Sequence, residues 1–235
     1  MEIVKEFSRF AYEYDKYNVI QKEVAKRLIS YVPKGVYGKV LDLGSGDGAI
    51  YKAFNHNNIE FDEFIAFDFS KEMLEIHPEN NHIKKICMDF NQPNSFSIFK
   101  RDEFDLLISS SALQWSSNLL SLLTTIAPLA KRHYFSFFTA NTFKTLHKTA
   151  GITSPIYSRD DLIKTLDKVF NYEMELVEYT LDFNSVHEML KYIKRSGVSG
   201  GVDKLGYKRT KYLLENYPLN YLEFEVLFVK VIDKI

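Results

Sequence analysis

The sequence predicts an α/β fold, a largely parallel sheet with helices on both faces, and three observations carry that expectation. The first is residues 39–48, Lys-Val-Leu-Asp-Leu-Gly-Ser-Gly-Asp-Gly, where a short apolar run with β character leads straight into Gly44, Gly46 and Gly48. A helix-compatible stretch over residues 49–57 follows at once. Strand, glycine turn and helix together let a ligand sit on backbone at a helix N-terminus. The second observation is that such apolar runs recur in alternation with helical stretches. The third is that these runs are near-continuous in apolar residues, as strands covered on both faces are.

Taken in order, the first 32 residues read as helix. Phe7, Phe10, Ala11 and Tyr14 share one face, Ile20, Val24 and Leu28 continue the stripe in a second segment, and Pro33 and Gly35 end it. Strands are expected at residues 40–43 (β1), 64–69 (β2), 83–88 (β3), 104–109 (β4) and 133–139 (β5), with helices from Ser70 past Leu74 and over 119–126 between them. Residues 140–157 lack clear periodicity and read as a loop or a partly helical insertion. Ser158 is an N-cap candidate for a helix whose face is Leu162, Leu166, Val169 and Phe170. Residues 173–183 read as β6. Ser185-x-x-Glu188 forms a capping box opening a helix striped by Val186, Met189, Leu190 and Ile193, closed by Gly197. Gly200, Gly201 and Gly206 mark a connection, and residues 221–232 read as β7. The expected division is an N-terminal helical cap at 1–36 and one main domain at 37–235, with insertions at about 140–157 and 184–216 that would act as lids. The cap has two readings, simple packing on the sheet or a cover over its ligand edge.

Composition narrows the class. The 235 residues are 46% hydrophobic and 26% charged, with 30 basic against 31 acidic residues, which is ordinary for a globular domain and argues against a global nucleic-acid binder. The single cysteine, Cys87, allows no internal disulfide, suits a reducing cytosol and reads as a core residue of the β3 run. No stretch is apolar enough to span a membrane, and the N-terminus lacks a signal-peptide core. The expected setting is therefore cytoplasmic. The six histidines show no metal-ligand spacing, so no metal is expected.

The glycine turn admits two readings. Gly44, Gly46 and Ala49, with Asp68 about twenty residues on, fit the dinucleotide pattern G-x-G-x-x-G/A. Asp42, two residues before the first glycine, makes the stretch D-L-G-x-G-x-G instead, which resembles motif I of the class I S-adenosylmethionine-dependent methyltransferases. That resemblance implies a Rossmann-like seven-stranded sheet with the last strand antiparallel. It also implies S-adenosyl-L-methionine as co-substrate, held by the Gly44-Ser45-Gly46 and Gly48 loop and by acids at consecutive strand ends. Asp68 would accept hydrogen bonds from both ribose hydroxyls, Asp89 would accept from the adenine amino group, and Asp42 would brace the loop and the methionine ammonium. Phe69, Phe90 and Ser109 complete that expected set.

A narrower resemblance spans residues 7 to about 230. Phe7-Ser8-Arg9, Tyr14-Asp15 and Gln21, Asp68-Phe69-Ser70 with Met73-Leu74, Ser110 through Trp115, Phe138-Thr139, Leu190 through Gly197, and Tyr217-Pro218-Leu219-Asn220-Tyr221 together resemble the malonyl-[acyl-carrier protein] O-methyltransferases of biotin synthesis. The chain departs from that pattern in its Gly-Ser-Gly-Asp-Gly loop and in the Ala127 to Lys131 segment before β5. The resemblance implies methylation of the free carboxylate of a malonyl thioester on acyl carrier protein. Such a carboxylate is already ionised, so no base is needed to make the nucleophile. The expected reaction-site residues are Tyr14, Gln114 and Trp115, with Arg9 or Arg195 to neutralise the carboxylate. The stretch from Lys191 to Lys211 holds seven basic residues against one acid, Asp203. Lys191, Lys194, Arg195, Lys208 and Arg209 are the expected face for an acidic carrier protein. The alternatives are a class I methyltransferase for another small carboxylic acid or metabolite, or a noncatalytic partner of the same fold.

Overall fold

The computed structural model describes residues 17–195 and 206–235. The expected stripe from Phe7 to Tyr14 and the glycines at 197, 200 and 201 lie outside these residues, as do Arg9, Asp203 and Lys204. One seven-stranded sheet runs in the order β3-β2-β1-β4-β5-β7-β6. The strands are β1 Val36–Leu43, β2 Glu60–Asp68, β3 Ile83–Cys87, β4 Leu106–Ser110, β5 His133–Phe138, β6 Phe170–Asp182 and β7 Tyr221–Lys234. The first five pair in parallel, and β7 runs antiparallel to both β5 and β6. This is the expected sheet, antiparallel last strand included.

The near-continuous apolar strands account for the layers. Along a strand successive side chains face opposite sides. Val40, Phe64 and Leu106 therefore enter one core while Leu41, Ile65 and Leu107 enter the other. Helices α1 Val19–Ser30 and α2 Ala49–Asn57 cover the first face through Val24, Leu28 and Phe54. Helix α4 Leu119–Ile126 and helix α6 Arg159–Leu166 cover the second, through Leu123 and Leu162 among others. Between them in sequence come α3 Lys71–Ile76 and α5 Lys144–Ala150; α7 Val186–Arg195 and α8 Tyr207–Asn216 follow β6. The chain leaves β1 toward β2 and β3, then returns to the other side of β1 with β4. Neighbouring connections diverge there, and a crevice opens beyond the carboxyl ends of β1 and β4.

Local rules explain most boundaries. Ser70 caps α3 by accepting from the Met73 amide at 3.2 Å, Ser158 caps α6 by accepting from the Asp161 amide at 3.1 Å, and Ser185 accepts from the Glu188 amide at 3.2 Å. Residues 140–157 are partly helical, as α5. Two expectations need correction. Cys87 is exposed at the end of β3, an edge strand of the sheet with no fully buried residue. The helix striped by Leu162 and Leu166 ends at Leu166, and Phe170 opens β6 by pairing with Lys234. Val169 and Phe170 are buried as the helical stripe required, but the chain reaches that burial by turning into a strand.

Candidate functional site

The crevice beyond β1 and β4 is a cleft with about 870 Å³ of empty space, part of it open to solvent. Its floor is the glycine loop. The loop is pinned to the next strand by Gly44 and Ser45, whose amides donate to the Phe67 carbonyl at 2.8 and 3.1 Å. Gly44 has φ +78°, and a β-carbon there would come within 2.2 Å of the Ala112 β-carbon. Only glycine lets the loop and the segment after β4 approach so closely. Gly48, at φ +82°, is the left-handed residue that starts α2.

Two acids lie under this loop. Asp68 accepts from the Gly46 amide at 2.9 Å through one oxygen and from the Ser70 amide at 2.8 Å through the other. Burial raises its pKa to about 6, while the amides of Ser70, Gly46 and Phe69 pull it back. Asp42 is fully buried, and neither of its oxygens has a hydrogen-bond partner. Burial first, then the charges of Asp68 and Asp47, pushes its carboxyl well above the ordinary range. A buried acceptor without a donor carries a free-energy cost that a bound donor or cation relieves. The same condition holds around the cleft for Asn18 Oδ1, Ser45 Oγ, Ser111 Oγ and Gln114 Oε1. This acceptor-rich, acidic wall fits a ligand that carries hydroxyls and a cationic end.

The expected residues fall into three groups. Gly44, Ser45, Gly46, Asp68, Phe69, Phe90, Gln114 and Trp115 line the cleft together. Asp42, Gly48, Asp89 and Ser109 stand behind or beside it. Asp89 is half-buried and accepts from the Asn91 amide at 2.8 Å, and the Ser109 hydroxyl is spent on the Leu43 carbonyl at 2.5 Å. Ser110 and Ser111, rather than Ser109, reach the cleft, and Ser111 does so with φ +58°. The third group sits elsewhere. Arg195 donates to the Tyr17 hydroxyl at 2.9 Å with its guanidinium 5.4 Å from that ring. With Lys191 and Lys194 it borders a separate groove between α7 and α8, floored by Leu190 and Leu214. Lys208 and Arg209 are exposed at the start of α8. Tyr14 and Arg9 lie outside the described residues.

The structure adds cleft residues that the sequence reading left out, chiefly Asn18, Gln21 and Asp47. Asn18 and Gln21 belong to the turn and first residues of α1, so this segment both packs on the sheet and walls the cleft. Gln21 stood in the longer resemblance, but helical periodicity marks only the apolar face and so passes over both. Among the described residues no group of three or more metal-ligating side chains occurs, and no helix is long and apolar enough to cross a membrane.

Comparison with known proteins finds the same fold and similarity to methyltransferases. The methyltransferase domain family matches residues 41–133, and the chain has the fold of the class I methyltransferases. Among curated relatives, the malonyl-[acyl-carrier protein] O-methyltransferase of Bacillus cytotoxicus is 30% identical over 155 residues, which cover 61% of this chain and 52% of that protein. The protein of the same name from Calditerrivibrio nitroreducens is 25% identical over 233 residues, covering 93% of this chain and 87% of its own. Among solved structures, the YcgJ protein of Bacillus subtilis superposes with a TM-score of 0.65 at 16% identity, over 91% of this chain and 99% of that one. A phosphoethanolamine N-methyltransferase of Haemonchus contortus, solved with S-adenosylhomocysteine, gives 0.54 at 13% identity, over 91% of this chain and 52% of that one. Both share the fold.

Proposed function

We propose that the protein transfers a methyl group from S-adenosylmethionine to the free carboxylate of a malonyl thioester carried by an acyl carrier protein, forming the methyl ester. The observation that carries the cofactor half is the set of buried acceptors around the glycine loop, headed by Asp42, which has no partner, and Asp68, which has only backbone amides. What supports the substrate half is similarity along most of the chain to proteins named for that reaction.

Asp68 would receive the ribose hydroxyls on the lone pairs its two amide contacts leave free, Asp89 and Phe90 would border the adenine, and Asp42 would answer the amino-acid ammonium through the loop. S-adenosylmethionine supplies an electrophilic methyl on a sulfonium sulfur. The residues of this chain then have three tasks: to place the acceptor oxygen in line, exclude water and select the acyl group. Gln114 and Trp115 are on the cleft wall after β4, where the acceptor must arrive. Gln114 is held by donating from Nε2 to the Ser111 carbonyl at 2.7 Å. No proton has to be removed from the acceptor, since a malonyl carboxylate titrates near ~4. The start of α1, which walls the cleft with Asn18 and Gln21, would help close this arrangement. The carrier protein would dock on the groove between α7 and α8, where Lys191, Lys194 and Arg195 rim an apolar floor and attract an acidic helix.

The direct test is mass spectrometry of malonyl-acyl carrier protein incubated with the enzyme and S-adenosylmethionine. One added methyl on the malonyl group, absent with the acetyl form, is the expected result. No methylation while S-adenosylhomocysteine still binds would reject the malonyl substrate and keep the cofactor site.

A further inference from the structure

We infer that Asn18 is a ligand-binding residue of the cleft, its side-chain carbonyl oxygen receiving the ammonium of the co-substrate's amino-acid end, and that Asp47 is the residue that aims it. This inference rests on the S-adenosylmethionine reading of the cleft.

Asn18 occupies the N-cap of α1, the position where asparagine ordinarily accepts a hydrogen bond from an amide of the first turn. Here its side chain makes no such bond. Nδ2 donates instead to Asp47 Oδ2 at 3.2 Å. A carboxylate oxygen accepts and does not donate at neutral pH, so the atom facing Asp47 is the amide nitrogen and the remaining atom is the oxygen. That oxygen is buried and has no partner, in a residue with 0% exposure that lines the cleft. An asparagine that gives up its capping bond, spends its donor on an acid and leaves its acceptor empty on a cleft wall is set to meet a donor.

Gln114 shows the same arrangement on another wall. Its Nε2 is held by the Ser111 carbonyl, and its Oε1 is buried and unpartnered. Two amides with their nitrogens tied and their oxygens free make a site for a donor-rich group. Asp42, Asp47 and Asp68 give that region a negative field and favour a cation there. Of the parts of S-adenosylmethionine, the amino group is a cation with three donors, whereas the thioether or sulfonium centre has none. The same Asp47 oxygen also accepts from Lys52 Nζ, 3.2 Å away. The chain Lys52–Asp47–Asn18 therefore fixes the amide from α2.

The test compares two probes by calorimetry on the full-length protein: S-adenosylhomocysteine, which carries the amino-acid end, and 5′-methylthioadenosine, which lacks it. Asn18→Ala and Asn18→Ser should weaken S-adenosylhomocysteine about tenfold or more, as loss of a hydrogen bond to a charged group does, and leave 5′-methylthioadenosine within about twofold. Asp47→Asn should shift the same probe in the same direction by a smaller factor. Unchanged 5′-methylthioadenosine binding also reports that the variants are folded. Equal loss for both probes, or no loss for either, overturns the inference. Wild-type protein that binds neither probe removes the cofactor reading itself, and the assignment of Asn18 with it.

Discussion

Two groups of carboxylates, one buried and one partly buried, stand at the same end of the sheet and are treated in opposite ways. Glu225 on β7 accepts from the Thr139 hydroxyl at 2.5 Å and from Asn141 Nδ2 at 3.0 and 3.1 Å. Its neighbour Glu223 accepts from the hydroxyl and the amide of Thr145 at 2.6 and 3.3 Å. Together they clip the segment after β5 to the last strand. Under the glycine loop, Asp42 has no partner and Asp68 only backbone amides, and burial drives both carboxyls upward. A polar group whose bonds are complete serves the fold. One left incomplete raises the free energy of the unliganded protein, and that cost is recovered when a ligand completes it. The difference between the two groups, more than burial or sequence position, marks the site.

The comparison is broken most severely by adding a β-carbon to the loop. Gly44→Ala should abolish S-adenosylhomocysteine binding and lower stability by about 3 kcal/mol, because the new atom meets the Ala112 β-carbon and the positive φ is strained. Gly151→Ala, also at positive φ but with open space around its β-carbon, should cost about 1 kcal/mol in thermal or urea melts and leave binding intact. Asp68→Ala comes next. Removing an acceptor for two hydroxyls should weaken S-adenosylhomocysteine about a hundredfold by calorimetry. Glu225→Gln should do the reverse, costing about 1–3 kcal/mol of stability in urea melts, since the amide nitrogen that replaces one carboxylate oxygen cannot accept from its donor, with ligand affinity unchanged. Equal effects on affinity from Asp68→Ala and Glu225→Gln would erase the distinction between them. The smallest effect is expected from Lys191, Lys194, Lys208 and Arg209 changed together to glutamate. The KM for the carrier protein should rise about tenfold, more at low salt, with S-adenosylhomocysteine affinity unaltered.

How much of this was legible in the sequence follows from what each signal measures. Apolar runs and glycine spacing report backbone and core, so the succession of strands, the loop and Asp42 and Asp68 at their strand ends are legible directly. Asn18 and Asp47 are not, because their significance lies in a contact 29 residues apart in sequence and in an oxygen that has no partner. Cys87 was misplaced for a related reason. An apolar run does not say whether its strand lies at the centre of the sheet or at its edge. Arg195 is expected from sequence either at the substrate carboxylate or on the carrier-protein face, and α7 carries it to Tyr17 and the groove beside α8. The positions of α7 and α8 separate that face from the cleft.

The most direct measurement is calorimetric titration of the wild-type protein with S-adenosylhomocysteine at pH 7.5 and pH 5, each in two buffers of different ionisation enthalpy. Asp68 has its pKa raised to about 6 in the folded chain against about 3.9 when unfolded. Its contribution to unliganded stability is therefore full below the unfolded value and declines as pH rises through 6. Ribose hydroxyls favour the ionised form, so ligand affinity should run the opposite way. The account predicts binding about tenfold weaker at pH 5 than at pH 7.5, with close to one proton released per ligand at pH 5. Affinity and proton balance that do not change with pH, or no binding at either pH, would contradict the claim that the buried acids beneath the glycine loop are the ligand site.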